Sequence, residues 1–229
     1  MGSISDFMQN MNWDAMRAAL FSAVAALFCL TIHELCHGLT AYRLGDPTAQ
    51  QAGRLTLNPI RHIDPLGLIL MVTAKVGWAK PVPVNYRYFK RTKRDMALTA
   101  LAGPLSNFLL AWLFLLMGGG LLRLVLSPVL WNCPEWVGWG VYYLYEFLVN
   151  AAVLSVGLGI FNLFPIPPLD GSKVLFAVLP DRAYNTLLRY ERYGMILLLA
   201  AVWLGWLNGP LTFLISRVVD ALVNLSFFP

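Results

Sequence analysis

Long apolar runs are the feature that most constrains this chain. Hydrophobic residues dominate Ala18–Ile32, Ala97–Gly120 and Val141–Phe164. A helix needs about 20 apolar residues to cross a bilayer core of about 30 Å, because each residue adds about 1.5 Å. Backbone N–H and C=O groups in lipid must be hydrogen-bonded within the segment or its barrel, so isolated runs of this length predict helices.

We therefore predict an all-α polytopic membrane protein with about 4–6 transmembrane helices. Hydrophobic residues make up 58% of the 229, against about 45–50% in ordinary soluble domains. Residues 1–229 are predicted to form one membrane-embedded domain, with a core over residues 13–180 and C-terminal apolar helices over 194–228. An interruption at "NGP" makes the C-terminal part either two spans or one span with a surface helix. The first twelve residues lack the basic region of a signal peptide, so we expect the first helix to be retained.

A different kind of segment lies between the first two long runs. "GRLTLNPIRHIDPLG" (53–67) is rich in helix breakers, and "LILMVTAKVGW" (68–78) is apolar but too short to span. Its β-branched residues and the prolines that follow favour strands. We predict a re-entrant β-hairpin-like element here, which is tolerated at membrane depth where protein or a wet cavity covers it. A cytoplasmic loop with a buried strand is the alternative.

Basic residues are concentrated in one segment. Ten of the chain's 17 Lys and Arg residues lie between Tyr42 and Met96, opposed by only three acids. Cytoplasmic loops of membrane proteins carry such an excess. The charge therefore indicates a cytoplasmic location for this segment, and we do not expect a nucleic-acid partner.

Two of the three histidines lie in the first predicted helix, directly after its apolar run, in "LTIHELCHGLTAYRLG" (30–45). His33 and His37 are four residues apart and thus on one face of a helix, so both imidazoles can reach one Zn²⁺ ion. Glu34 is placed to accept a proton from water at the open position of that ion. An ionisable group at bilayer depth costs about 2.5–3.5 kcal/mol on insertion scales, and a shared divalent cation would compensate three of them. A structural polar cluster is the alternative.

A catalytic zinc site usually has three protein ligands. The spacing of the metzincins fails, because Thr40 and Arg43 stand where that pattern needs Gly and His. Asp170 is the favoured third ligand, because the prolines of "FPIPPLDG" unwind the helix within an apolar stretch. Asp64, in a similar segment, is the second choice, and Asp46 and His62 are the other residues that could serve. Asp64-Pro65 is also an ordinary turn signal.

The motifs "HELCH" and "NLFPIPPLDG" together resemble those of the site-2 protease family of intramembrane zinc metalloproteases. "NPIRHIDPLG", "GWAKPVPVN" and "AGPLSN" are similar to that family's linking segments. The resemblance implies His33, His37 and Asp170 as ligands of one Zn²⁺ per chain and Glu34 as general base. It also implies a polar role for Asn162 near the scissile carbonyl. The chain resembles a compact member without PDZ or CBS domains. Asn107, in the second long run, is a candidate for supporting the site by hydrogen bonding.

The resemblance implies regulated intramembrane proteolysis, in which a peptide bond in or near a transmembrane segment of another protein is hydrolysed. The expected partners are a transmembrane protein substrate and the lipid bilayer. The expected location is the prokaryotic plasma membrane, with the active site opening toward the cytoplasm. A metal-binding membrane protein, either a transporter or a non-catalytic relative, is the alternative, since buried His and Asp also mark ion pathways.

Overall fold

The computed structural model describes residues 11–64, 67, 80–128, 133–180, 193–194 and 196–227. Short 3₁₀ turns occupy Pro59–His62 and Tyr86–Tyr88. The α-helices in chain order are α1 (Trp13–Arg43), α2 (Thr48–Gln51), α3 (Thr92–Val125), α4 (Glu135–Asn162), α5 (Asp170–Val178), α6 (Ile196–Trp203) and α7 (Asn208–Phe227). The expected mostly helical membrane architecture is therefore confirmed.

Three helices, α1, α3 and α4, are long and apolar enough to cross a membrane. Helices α6 and α7 are bent by 85° at the break between them, and they add a fourth span if the pair is counted as one. The broader expectation of about 4–6 spans stays a prediction. No β-strand occurs among the residues that the structure describes, and the predicted hairpin at residues 68–78 lies outside them.

Local sequence signals set the ends of these helices. The Asn12 side chain caps α1 by accepting a hydrogen bond from the Ala15 N–H at 3.0 Å. The chain leaves α1 through Gly45, whose φ of 105° suits glycine and is rare for other residues. Helix α4 ends at Asn162, just before the proline-rich turn of residues 163–169, and α5 begins at Asp170.

Small residues bring α1, α3 and α4 close together. Ala25, Cys29, Ala111, Ala151 and Ala152 are all almost completely buried where these helices meet. Hydrophobicity does not draw helices together in lipid, so close van der Waals contact between small side chains supports their association. The packed bundle fixes the position of the polar residues that each helix carries.

Candidate metal centre

His33, His37 and Asp170 converge on one point. The Nε2 atoms of His33 and His37 lie 2.9 Å apart, and Asp170 Oδ2 lies 3.1 Å and 3.0 Å from them. All three side chains are buried. Among the described residues, these three form the one group of His, Cys, Asp or Glu side chains whose ligand atoms lie close enough together to hold a metal ion.

The geometry of these three atoms suits a metal ion better than hydrogen bonding alone. Each imidazole Nε2 carries at most one hydrogen, which it can donate to Asp170 Oδ2. The two Nε2 atoms would then lie 2.9 Å apart with no hydrogen bond between them. Tetrahedral ligands about 2.0–2.1 Å from Zn²⁺ would be about 3.3 Å apart, close to the observed separations. The donor set of two imidazoles and one carboxylate matches catalytic zinc sites that keep one position open. The residues present therefore fit Zn²⁺.

The outer nitrogens of the two imidazoles are held by α3. His37 Nδ1 lies 2.7 Å from the Thr99 carbonyl oxygen, which accepts its proton and leaves Nε2 available to a metal. His33 Nδ1 lies 2.9 Å from the Asn107 side-chain nitrogen, and Asn107 Oδ1 is buried without a partner. Rotating this amide by 180° would let Oδ1 accept the His33 Nδ1 proton, as ligation through Nε2 requires. Asn107 thus lies within hydrogen-bond distance of His33, and its supporting role stays a prediction.

Gly103 of α3 gives the two imidazoles their space. A Cβ atom at this position would lie 2.4 Å from His37 Nε2 and 2.6 Å from His33 Nε2. Real Cβ atoms do not approach other atoms so closely, so any larger residue would displace a ring. The glycine of "AGPLSN" therefore forms one wall of the metal centre.

Asp170 reaches the histidines because of the turn that precedes it. Pro165, Pro167 and Pro168 interrupt the helix after α4, and α5 then starts with Asp170 in its first turn. The next residue packs tightly, since a Cβ at Gly171 would lie 2.1 Å from the Leu163 carbonyl oxygen. The start of α5 is thereby held against the end of α4.

The second carboxylate oxygen of Asp170 faces a cation. Lys173 Nζ lies 3.4 Å from Asp170 Oδ1, one turn along α5, while Oδ2 faces the histidines. This arrangement leaves a single oxygen of Asp170 toward the metal position.

Glu34 and Asn162 line the same cavity as the three candidate ligands. The cavity has a volume of about 580 Å³, and apolar residues of α6 and α7 complete its wall. Glu34 Oε2 accepts a hydrogen bond of 2.8 Å from the Val82 backbone N–H. The Asn162 amide donates to the Leu158 carbonyl oxygen at 3.0 Å, within its own helix.

The other candidate ligands lie outside this cluster. Asp64 Oδ1 accepts from the Gly67 N–H at 3.0 Å, as expected for a turn. His62 is buried with Nε2 3.0 Å from the Thr56 carbonyl oxygen. Asp46 is fully buried and accepts from the N–H groups of Thr48 and Asn85 at 2.9 and 2.7 Å.

Four residues that contribute to the site were not singled out from the sequence. Thr99 and Val82 act through backbone atoms, which carry no side-chain signal. Gly103 lies within the quoted motif "AGPLSN" but was given no role of its own, and Lys173 is one of 17 basic residues. Only the position of Lys173 one turn after Asp170 could have drawn attention to it.

Comparison with known proteins identifies relatives of this chain. The family model described as peptidase family M50 matches residues 135–205. YwhC of Bacillus subtilis, whose name provisionally calls it a zinc metalloprotease, is 38% identical over 179 residues, covering 78% of each chain. Rip2 of Mycobacterium tuberculosis, named in the same provisional way, is 34% identical over 199 residues, covering 84% of this chain and 71% of Rip2.

A shorter similarity extends to a larger protein. The regulator of sigma E protease of Salmonella typhi is 33% identical over 117 residues, which is 51% of this chain and 20% of that protein. No solved structure matches the chain. The relatives, the three apolar helices and the donor set of the metal centre agree with one another. The chain belongs to peptidase family M50, the site-2 protease family of zinc metalloproteases.

Proposed function

We propose that this protein is an intramembrane protease that hydrolyses a peptide bond in or near a transmembrane segment of another membrane protein. The observation that carries the proposal is the convergence of His33, His37 and Asp170 beside Glu34, at the wall of a cavity. His33, Glu34 and His37 belong to a helix apolar enough to span the membrane. A site built into such a helix is suited to a substrate that lies in the same membrane.

His33, His37 and Asp170 would hold the zinc ion, and Glu34 would move protons. Zn²⁺ supplies Lewis-acid chemistry here, because it polarises a carbonyl group and lowers the pKa of a water molecule. The Glu34 carboxylate accepts the proton of the attacking water and then donates it to the nitrogen of the leaving amine. Asn162 lines the cavity and carries an amide that could donate to the developing oxyanion after rotating away from Leu158.

A transmembrane substrate must be extended at the bond that is cut. In a helix the scissile carbonyl is hydrogen-bonded and shielded by side chains, so it cannot reach the metal and the base together. We propose that the substrate is held as a strand, with main-chain hydrogen bonds to the enzyme that offset those lost on unwinding. The proposed partner is the part of the Leu68–Asn85 segment that precedes Lys80, because the N–H groups of Lys80, Val82 and Asn85 already donate to His62, Glu34 and Asp46.

Cleavage is expected to depend on the helix propensity of the substrate. The probes are single-span model proteins reconstituted with the enzyme in liposomes, differing only near the centre of the span. A Gly-Pro pair is expected to raise the cleavage rate about tenfold or more over an Ala-Leu run, since Gly and Pro cost about 1 and 3 kcal/mol in a helix. Rates are measured by gel analysis of the fragments.

The matched control places the Gly-Pro pair at one end of the span, away from the scissile bond. That substrate is expected to be cut no faster than the Ala-Leu substrate. Equal rates for all three substrates would show that unwinding is not required, and absence of cleavage of every membrane substrate would contradict the proposed function itself.

We propose that the site opens toward the cytoplasm of a prokaryotic cell. His37 is six residues from Arg43 at the end of α1, which is about 9 Å along the helix. Thr99, whose carbonyl oxygen contacts His37, is seven residues from the start of α3 at Thr92. Thr92 and Arg43 both belong to the segment that is rich in Lys and Arg. The metal centre is therefore near the end of the bundle that the excess of Lys and Arg marks as cytoplasmic.

Labelling of two single-cysteine variants in intact cells tests this orientation. One variant keeps exposed Cys133, which precedes α4, and the other carries Lys90→Cys, at an exposed position before α3. A membrane-impermeant maleimide is expected to label Cys133 only, and a permeant one both. If the impermeant reagent labels only the Lys90→Cys variant, the segment before α3 faces the outside of the cell and the proposed orientation is wrong.

A further inference from the structure

Three buried polar residues that the proposed chemistry does not use converge on one short segment, Lys80–Asn85. Asp46, Arg54 and His62 are all at least 93% buried. Asp46 and Arg54 bond this segment through their side chains, and His62 bonds it through its backbone carbonyl oxygen. Arg54 Nη2 donates to the Lys80 and Pro81 carbonyl oxygens at 2.6 and 3.3 Å. Burying a charged side chain is unfavourable unless its hydrogen bonds are made, so the bonds from the Asp46 carboxylate and the Arg54 guanidinium indicate a segment that is held in place.

The remaining contacts fix both ends of the segment. The Lys80 N–H donates to the His62 carbonyl oxygen at 2.9 Å. The Asn85 N–H donates to Asp46 Oδ2 at 2.7 Å. Lys80 and Val82 each precede a proline, which restricts both to extended backbone. The segment thus has little conformational freedom between its two anchored ends.

Val82 lies at the centre of this segment and contacts α1, the helix that carries Glu34. Its side chain is buried and lies against Gly38 of α1. A Cβ atom added to Gly38 would be only 3.1 Å from Val82 Cγ1. The Val82 N–H donates to Glu34 Oε2 at 2.8 Å. Among the described residues this N–H is the one hydrogen-bond partner of the Glu34 side chain.

We propose that the Val82 N–H is a positioning group for Glu34, and that Arg54 positions Val82. This inference rests on the proposed function. A glutamate side chain has three rotatable bonds, and a hydrogen bond to one carboxylate oxygen selects the rotamer that keeps the other oxygen toward the cavity. The base is then already oriented when water and substrate arrive, which lowers the entropic part of the barrier.

Replacing Val82 by proline tests the role of the N–H directly. Proline removes the donor and keeps an extended backbone next to Pro81 and Pro83. We expect Val82→Pro to lower kcat by about tenfold to a hundredfold, with KM and zinc content unchanged. Val82→Ala keeps the N–H but shortens the side chain, so it reports the effect of lost side-chain packing alone, and Val82→Pro is expected to lower kcat further than Val82→Ala does.

A second pair of variants tests the anchor. Arg54→Met removes the donor to Lys80 and Pro81 and is expected to lower kcat in the same way, again with zinc retained. The matched control is Arg61→Met, since Arg61 is exposed in the same connecting region. If Arg54→Met and Val82→Pro both cleave the liposome substrates as fast as the wild-type protein, while Glu34→Gln does not cleave, the positioning role is wrong and the proposed function stands.

Backbone hydrogen exchange gives a readout that needs no substrate. Prolines 81 and 83 have no N–H, so exchange within Lys80–Val84 reports only on Lys80, Val82 and Val84. In the zinc-loaded protein, Glu34→Ala is expected to speed exchange at Val82 about tenfold or more, because the amide loses its acceptor. Equal exchange in the wild-type and Glu34→Ala proteins would overturn the inference even if proteolysis is observed.

Discussion

Glu34→Gln is expected to abolish peptide hydrolysis while the protein keeps about one zinc ion per chain. Glutamine has the size of glutamate, and its side-chain oxygen can still accept from the Val82 N–H that holds Glu34 at 2.8 Å. What it loses is the ability to take a proton from water, which is typically worth 10²–10⁴-fold in rate. The measurements are cleavage of reconstituted single-span substrates and zinc content by mass spectrometry.

Cys36→Ser is the matched control, because Cys36 lies between the same two histidines and belongs to no part of the metal cluster. It is expected to keep both zinc and activity. The result for Glu34→Gln also distinguishes a protease from a metal transporter, the two functions that the sequence allowed. A metal transporter needs ligands but no general base, so a Glu34→Gln protein that still moved zinc across a membrane at the wild-type rate would support the transporter.

Asp170→Ala is expected to remove most of the zinc and, with it, all activity. Asp170 Oδ2 lies within 3.1 Å of both imidazoles, and its loss leaves two protein ligands in a buried site. The loss of zinc affinity should exceed the roughly 10–100-fold that follows removal of a residue hydrogen-bonded to a ligand. Affinity is measured by competition with a chelator, and zinc should no longer raise the melting temperature.

Asp64→Ala serves as the comparison, since Asp64 was the second choice for the third ligand. The Asp64 carboxylate accepts a hydrogen bond from the Gly67 N–H and lies outside the described metal cluster. We therefore expect the Asp64→Ala protein to bind zinc with the affinity of the wild-type protein. The opposite pattern, in which Asp64→Ala loses zinc and Asp170→Ala retains it, would assign the third ligand to Asp64.

Two different parts of the chain prepare the two halves of this site. Helix α3 supplies the backbone oxygen of Thr99, the amide of Asn107 and the open space at Gly103, all of which face the two histidines. The Lys80–Asn85 segment contacts Glu34 instead. We therefore expect metal binding and proton transfer to be supported separately, so that variants of Val82 and Asp170 differ in zinc content.

The sequence alone determined the features that depend on near neighbours in the chain. Apolar runs of spanning length predicted α1, α3 and α4, because helix formation and burial in lipid are set by the residues of the run itself. The four-residue spacing of His33 and His37 placed them on one face for the same reason. The expected position of Asp170 depended further on the resemblance to the site-2 proteases, since it lies 137 positions after His33.

The tertiary structure decided how distant segments meet. Asn107 and Gly103 contact the histidines only because small residues let α1 and α3 pack closely, and nothing in the local pattern of α3 specifies that register. Val82 contacts Glu34 because buried Asp46, Arg54 and His62 hold its segment, and its own contribution is a backbone N–H that every residue except proline possesses. Periodicity and composition describe side chains within one segment. Distances between segments arise only when the bundle packs.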